Sequence, residues 1–586
     1  MRFKKAPLIQ LLILIGLILT WSITTGAQDA VSLPDTVSDH LLQRIANAKG
    51  RSLLNFDYND EDTARLMTTL YLERKGRPAW VGEEGSAAPA EKLLHLLKRS
   101  HREGLYPQDY GIGRIESLME TISRDKEQDQ PLNPDLLVDL DLLLTEAFFS
   151  YAAHYSGGRI NHQKHYPGWV YKPRQTDLIK TLTKALESGN LEGTLRELAP
   201  RFHYYQKLHD ILNSYIDIAE NGGWPTIPAG RILKKGMRDK RVPLLKTRLM
   251  TVSEKPDSLK ETPGDLFDRS LEAAVVQFQK QYGLKQDGTV GPSTLRELNI
   301  PLEVRICQVA VNLDRLRWLP SELGDRHLLI NIPAFNLEVV EGGSVVMNIR
   351  AIVGKTDKRT NLLSSRITSI ELNPYWRVPR SIAVEEYLPK LKKNPGYLSG
   401  KNMKVFTGGY YQNQPISPET VKWSRYSKDH FPYFLRQEPG AGNPLGRVKF
   451  VFSNEADIYI HDTSTRNLFS RNRRSFSHGC IRIEKPVDLA SYLLKDSPNN
   501  PWSVRNIRAE IGKGKNKTLM LPKAVPVHIV YKTVWIDREG NLNFRPDLYN
   551  IDNIPGNLKL IRASLERFQN QNQQFRPDAE ASSSIL

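Results

Sequence analysis

The apolar positions of this chain change their spacing twice, and each change marks a different kind of structure. From about residue 36 to 230 they recur at three- and four-residue intervals. The run from Asp135 through Leu144, continued by Ala147, Phe148, Phe149, Tyr151 and Ala152, is an apolar stripe too wide for a surface helix and suits a bundle core. A second helix is predicted from Ala90 to Arg102, stopped by Gly104-Leu105-Tyr106-Pro107. Between 231 and 300 the helical segments are shorter. Val242, Leu244, Leu245 and Leu249 form one, Ser270 to Gln279 another, and a turn through Asp287-Gly288 and Val290-Gly291-Pro292 leads to a third near Leu298. The stretch Leu313–Asp325, with Trp318-Leu319-Pro320, reads as a linker.

From about Arg326 the period falls to two. Leu337 and Val339 lead into Glu341-Gly342-Gly343-Ser344, a hairpin signal, and then Val345, Met347, Ile349 and Ala351 alternate. Further strands are expected at Ile367–Leu372, Val448–Phe452 and Ile458–Ile460, with a helix starting at Pro486. Between Ile382 and Arg436 the alternation is broken by Lys, Asn, Pro, Gly and aromatic residues, among them Tyr387, Tyr397, Trp423 and Tyr426. An insertion of that size in a β domain reads as a lid. The segment after Ala524 reads as closing strands or an appended edge, and the Gln-, Asn- and Ser-rich residues 566–586 as a disordered tail. The fold class expected is multidomain α+β. A helical region at 36–230 and a small three-helix module at 231–312 precede a mainly antiparallel β domain at 326–545, which carries the insertion 382–436.

Composition sharpens this in two places. At 586 residues the chain needs several cores, and 40% hydrophobic with 25% charged residues is ordinary for globular domains. The net charge of +17 is spread rather than gathered in a stripe, which argues against nucleic acid as the partner and fits a polyanionic envelope. Arg2, Lys4 and Lys5, the apolar run Leu8–Leu19 and the small residues Thr24-Thr25-Gly26-Ala27 have the order of an export signal. Residues 1–27 are read as a signal peptide cleaved after Ala27 or an uncleaved membrane anchor, and either places the remainder in the periplasm or cell envelope. Losing them leaves a net +14.

The candidate chemistry lies in HDTSTRNLFSRNRRSFSHGCIR, from His461 to Arg482. It holds Cys480, one of two cysteines in the chain, directly after Ser477-His478-Gly479, with His461 upstream. A thiol attacks as thiolate, so it needs a base or cation beside it. Consecutive N–H groups at Gly479 and Cys480 could face a developing oxyanion. Cysteine, histidine and such a turn together indicate acyl transfer. The other cysteine, Cys307, sits in an apolar helical stretch and reads as a buried thiol, not as a disulfide partner of Cys480.

The pattern H-D-T, a gap, then S-H-G-C-I-R resembles the signature of the L,D-transpeptidases, the YkuD-type family of peptidoglycan cross-linking enzymes. The resemblance implies that Cys480 is the nucleophile and His461 the proton donor and acceptor, with Ser477, His478, Gly479 and Asp462 in support and Arg482 in the motif. Arg482 and, on the arginine-rich loop, Arg474 suit a substrate with free carboxylates, which guanidinium groups bind bidentately, while Arg474 and its loop neighbours read equally as a solvated loop. It implies no cofactor and no metal. It implies as partners peptidoglycan stem peptides, a tetrapeptide donor and an amine acceptor, within the cell wall. AVVQFQKQYGLKQDGTVGPSTLRELN resembles the peptidoglycan-binding type 1 module. REGLYPQDY and YSGGRIN resemble the helical scaffold of larger members, and Pro439–Arg447 resembles the loop before the strand that delivers the histidine. The expected activity is formation of 3→3 cross-links through a cysteine thioester with release of D-alanine. The alternatives are an L,D-carboxypeptidase or endopeptidase on the same stems, or a non-catalytic wall-binding protein.

Overall fold

The computed structural model describes residues 33–48, 61–82, 85–160, 176–201, 203–251, 259, 264–320, 322–407, 414–455, 457–498 and 501–574. The expected export signal and the last twelve residues lie outside them. The chain divides into two compact units.

The first unit takes in the described residues as far as Leu94 together with Gly111–Phe149. Helices Leu33–Ala48, Glu61–Glu73, Ile112–Glu127 and the N-terminal part of Pro134–Gly157 build it, beside a two-residue ladder of β1 (Val81–Gly82) and β2 (Gly85–Ser86). The apolar stripe of the helix from Pro134 is buried, as its width demanded, yet a carboxylate sits in its middle. Asp141 is fully buried and accepts hydrogen bonds from the backbone N–H groups of Ala79, Trp80 and Val81 and from the Tyr71 hydroxyl. Those donors replace the water it gave up.

The second unit takes in His95–Tyr110 and the chain from Ser150 onward. Three helices, Val242–Met250, Arg269–Gln281 and Pro292–Leu298, occupy the stretch predicted to hold a small module. The next helix, Leu302–Arg317, runs through the predicted linker. Of its residues all but Glu303 and Val304 are buried, and Trp318 and Leu319 beyond it are buried too. Charged residues that looked like linker composition are interior ones held by partners from remote segments. Arg315 pairs with Asp552 at 2.6 Å, Asp314 accepts the N–H of Arg159 at 2.6 Å, and Arg317 donates to the Tyr205 hydroxyl at 3.1 Å.

The second unit also holds a nine-stranded sheet of β3 (Arg326–Asn331), β4 (Asn336–Glu341), β5 (Ser344–Gly354), β6 (Leu363–Leu372), β11 (Val448–Phe452), β12 (Ile460–His461), β13 (Ser475–Ser477), β14 (Ile481–Ile483) and β15 (Lys517–Val530). The order is β13-β5-β14-β12-β11-β6-β15-β3-β4, and β4 also pairs β5, so the pairing runs full circle. Most pairs are antiparallel, but β12–β14, β13–β5 and β15–β3 are parallel. The β4–β5 hairpin turns at Gly342 and Gly343, both with positive φ (56° and 70°), as a two-residue turn matching strand twist requires. Of the two readings of the segment after Ala524, closing strands or an appended edge, β15 fits the first: it begins at Lys517 and lies between β6 and β3, its Leu519, Val525, Val527 and Ile529 buried. A separate hairpin, β16 (Val534–Ile536) with β17 (Leu542–Phe544), follows. The helix Ile554–Gln574 then carries regular structure into the tail expected to have none, because Ile561 and Leu565 bury against the main core.

The insertion has a sheet of its own, β7 (Trp376–Arg377), β8 (Met403–Thr407), β9 (Pro415–Ile416) and β10 (Tyr433–Gln437), in the order β7-β10-β8-β9. Its core is also separate, built on Trp376, Leu388, Leu391, Val405, Trp423 and Leu435.

The Arg315–Asp552 pair gives the fold a measurable dependence. Removing one member of a buried pair strands the other charge, at a cost of about 3–5 kcal/mol. Asp552→Ala is expected to lower urea-unfolding stability by that order, and Arg315→Met combined with Asp552→Leu to regain most of it; equal losses in both variants would show that packing, not the stranded charge, governs the site.

Candidate active site

His461 ends β12 and Cys480 immediately precedes β14, and these two strands run parallel. Ile460 stands opposite Ile481 and His461 opposite Arg482, and the N–H of Ile481 donates to the Tyr459 carbonyl at 3.1 Å. Side chains alternate across a strand. Ile460, Ile481 and Ile483 point into the core, so Tyr459, His461, Cys480 and Arg482 share the other face. At strand spacing, histidine and cysteine are diagonal neighbours with Cα atoms roughly 8 Å apart, within reach of an imidazole.

The backbone before the cysteine takes a conformation only glycine adopts easily. Gly479 has φ +118°, and a Cβ there would stand 3.3 Å from the Arg359 carbonyl oxygen. Its own carbonyl is held from behind: Thr360 Oγ1 donates to it at 2.7 Å and accepts the N–H of Gly354 at 2.8 Å. The Tyr549 hydroxyl accepts the N–H of Thr360 at 3.1 Å and donates to the Gly354 carbonyl at 2.9 Å. All of these groups are buried, so the turn is fixed by satisfied hydrogen bonds rather than by solvent. Of the two amides expected to face an oxyanion, that of Gly479 already donates to Ser477 Oγ at 3.2 Å.

On the histidine side Asp462 acts as a clamp. Its carboxylate accepts the N–H of Arg447 at 2.9 Å and Arg466 Nη1 at 2.8 Å, and its N–H donates to the Val448 carbonyl. Gly446, at φ +63°, lies so close that a Cβ would fall 2.4 Å from the Asp462 carboxylate carbon. The turn that delivers His461 therefore depends on the missing side chain.

His461 is buried and Cys480 half-buried, and that sets their protonation. Burial drives the His461 imidazole down to about 3, helped by the Arg482 charge and opposed by backbone groups of Asp462 and Leu445. Burial raises the Cys480 thiol, while hydrogen bonds from the backbone and side chain of Tyr459 pull it down and Arg482 adds a smaller favourable field. The resting pair is therefore a neutral imidazole and a neutral thiol. A base that is unprotonated and a nucleophile whose anion a hydroxyl and a guanidinium both favour can exchange a proton as attack proceeds.

The predicted arginines separate by position. Arg482 is half-buried on the active face, its Nη1 3.4 Å from Thr465 Oγ1. Arg474 is committed elsewhere, donating to the carbonyls of Ala351, Arg471 and Phe335 at 2.9–3.2 Å, which makes it a brace for its loop. His478 is solvent-facing, and its Nε2 lies 2.9 Å from Glu386 Oε1, so the insertion reaches the cysteine loop. Tyr459, Thr360, Tyr549 and Glu386 carry no motif of their own and were not picked out from the sequence. Tyr459 alone had a local signal, being two positions before the histidine on a strand and hence on its face. Among the described residues no cluster of three or more His, Cys, Asp or Glu side chains could hold a metal ion.

Acid should destabilise the protein through its buried histidines. His461, depressed to about 3, and His528, depressed to about 4 by burial, stay neutral when folded, whereas the unfolded chain protonates each near 6.5. Their contribution is complete above pH 6.5 and drains as pH falls toward 3 to 4. Each accounts for about 1.4 kcal/mol per pH unit inside that window. Urea unfolding from pH 7 to 4.5 should show this slope, reduced by one histidine's share in His461→Gln; an unchanged slope in that variant would mean that the imidazole is charged in the folded state.

Comparison with known proteins adds three matches along the chain. Residues 325–515 match the family model of the L,D-transpeptidase catalytic domain, residues 65–212 that of the scaffold domain, and residues 238–298 one described as "Putative peptidoglycan binding domain". A Haemophilus influenzae protein named "Putative L,D-transpeptidase" is 33% identical over 247 residues, which is 42% of this chain and 48% of that protein. The chain thus spans about half the length of this curated relative. A crystal structure of an L,D-transpeptidase (residues 123–326) from Xylanimonas cellulosilytica is 17% identical, covering 52% of this chain and 99% of that one. Its TM-score is 0.17, at which the likeness bears no weight. The protein is a multidomain α+β chain whose residues 325–515 are similar to the L,D-transpeptidase catalytic domain, 65–212 to the scaffold domain and 238–298 to the peptidoglycan-binding domain.

Proposed function

We propose that this protein is a peptidoglycan L,D-transpeptidase of the cell envelope that forms 3→3 cross-links through a thioester on Cys480. The observation that carries the reading is the parallel β12–β14 register, which sets His461 and Cys480 on one face beside Tyr459 and Arg482. Family-level L,D-transpeptidase activity is supported by the match over residues 325–515, and peptidoglycan as substrate by that match together with the one over 238–298.

In the proposed reaction Cys480 Sγ attacks the carbonyl of the third stem residue while its proton passes to His461. The imidazole is neutral at neutral pH and so has a free nitrogen to accept it. The N–H of Cys480 is the oxyanion donor, since that of Gly479 is engaged with Ser477. The tetrahedral intermediate collapses with cleavage of the C–N bond, the proton on His461 goes to the departing D-alanine nitrogen, and the thioester remains. An amine from a second stem attacks it, His461 returns a proton to the sulfur, and an amide bond joins the stems. Arg482 receives a stem carboxylate. The insertion acts as the lid that keeps water from the thioester.

Incubation with a carbapenem, a β-lactam class that acylates this family, should add one carbapenem mass to the intact protein and none to Cys480→Ala. The same variant should form no cross-linked dimer from tetrapeptide stems. His461→Gln should slow acylation at pH 7 by at least about a hundredfold. Cross-linking by Cys480→Ala, or an adduct retained in it, would end the thioester mechanism, and hydrolysed tripeptide as sole product would make the protein a carboxypeptidase.

A further inference from the structure

The two half-reactions of such a transferase differ in their proton balance. Acylation is neutral overall, because the thiol proton passes to His461 and leaves on the D-alanine nitrogen. Aminolysis is not. An alkylamine arrives as an ammonium ion, with an ordinary pKa near 10.4. It must lose one proton before it has a lone pair to attack with. The second proton, lost as the amide forms, can travel through His461 to the sulfur. The first needs another acceptor, one that is open to water.

His461 is 3% exposed and has no route of that kind. His478, two residues before the nucleophile, has a side chain 34% exposed, with Nε2 2.9 Å from Oε1 of Glu386, itself 43% exposed. Glu386 lies on the single π-helical turn Ala383–Tyr387 of the insertion, and such turns recur at functional sites. The turn carries a second carboxylate, Glu385, paired with Lys358 at 3.0 Å on the loop whose Thr360 and Arg359 pack against Gly479. Lys358 and Lys428 are the cations in range of Glu385, and His478 the third group. Of these two adjacent acids, Glu386 meets the cysteine loop directly and Glu385 meets the neighbouring loop through Lys358. A carboxylate accepts at both oxygens, so Glu386 can hold His478 and an ammonium together.

We propose that Glu386 and His478 form the acceptor site, Glu386 binding the ammonium group of the incoming stem and His478 taking its first proton and passing it to water. The ammonium N–H bond breaks, the imidazole becomes imidazolium, and the freed amine attacks the thioester carbonyl. The C–S bond then breaks, and the remaining proton passes from nitrogen to sulfur by way of His461. The pair thereby selects for an amine and against water at the acyl-enzyme. This rests on the proposed thioester reaction.

The test is partitioning of the acyl-enzyme. Wild type, Glu386→Gln and His478→Gln are acylated with a tetrapeptide stem, then offered a diamino-acid stem or hydroxylamine, which is uncharged at neutral pH. The ratio of aminolysis to hydrolysis is read by mass spectrometry. With the diamino-acid stem at pH 7 the ratio should fall at least about tenfold in both variants. It should recover as pH rises toward the amine's own pKa, and the hydroxylamine ratio should stay at the wild-type value. An unchanged ratio with the diamino-acid stem overturns the proposal, as does an equal fall with hydroxylamine, which would mark a merely structural contact. Failure of wild type to acylate at all is a different result, striking the thioester reaction and this proposal with it.

Discussion

Everything proposed for the site depends on one short parallel pairing. β12 contributes Ile460 and His461, β14 starts at Ile481, and their register sets a histidine and a cysteine 19 positions apart in the chain on one face of the sheet. A slip of one residue in either strand would turn its member of the pair toward the core and separate the two. Ile460, Ile481 and Ile483 resist that slip by burying their side chains on the inner face. Hydrophobic burial therefore fixes the catalytic geometry, although none of the buried residues takes part in the chemistry.

The second constraint is desolvation. A buried imidazole stays neutral, and a buried thiol keeps its proton until something favours the anion. Tyr459 and Arg482 supply that preference locally, so the site stores little charge at rest and separates charge only as bonds change. The rigid backing of Thr360, Gly354 and Tyr549 behind Gly479 belongs to the same logic, since buried backbone groups must find their partners within the protein. The insertion has a sheet and core of its own and meets this rigid part through ion pairs on exposed side chains. Contacts of that kind are individually weak and can be made and broken.

The interior helix Leu302–Arg317 shows the same balance on a larger scale. It buries Arg305, Asn312, Asp314, Arg315 and Arg317 among apolar neighbours. Each is matched by a group from another segment, including Glu297, Thr533, Arg159, Asp552 and Tyr205. Read as composition, these residues resemble a solvated connection; read with their partners, they are an interior polar network that ties the α-helical part of the second unit to its sheet.

The sequence by itself determined the period changes, the hairpin at Gly342-Gly343, the helix at Pro486 and the pairing of His461 with Cys480 as candidates, because each rests on residues close together in the chain. Local chemistry is legible there: a glycine is needed at positive φ, and a lone cysteine after Ser-His-Gly is conspicuous. What only the tertiary structure decided is who stands beside whom. A two-residue period says that a strand exists but not which strand it joins, so the sequence left open whether the segment after Ala524 closes the sheet or edges it, and the structure pairs β15 with both β6 and β3. Tyr549 and Thr360 lie 189 residues apart and Glu386 and His478 lie 92 apart, and nothing local announces either contact. Burial and electrostatic fields are properties of such assembled neighbourhoods, which is why the residues were readable from the chain while their protonation, backing and partners were not.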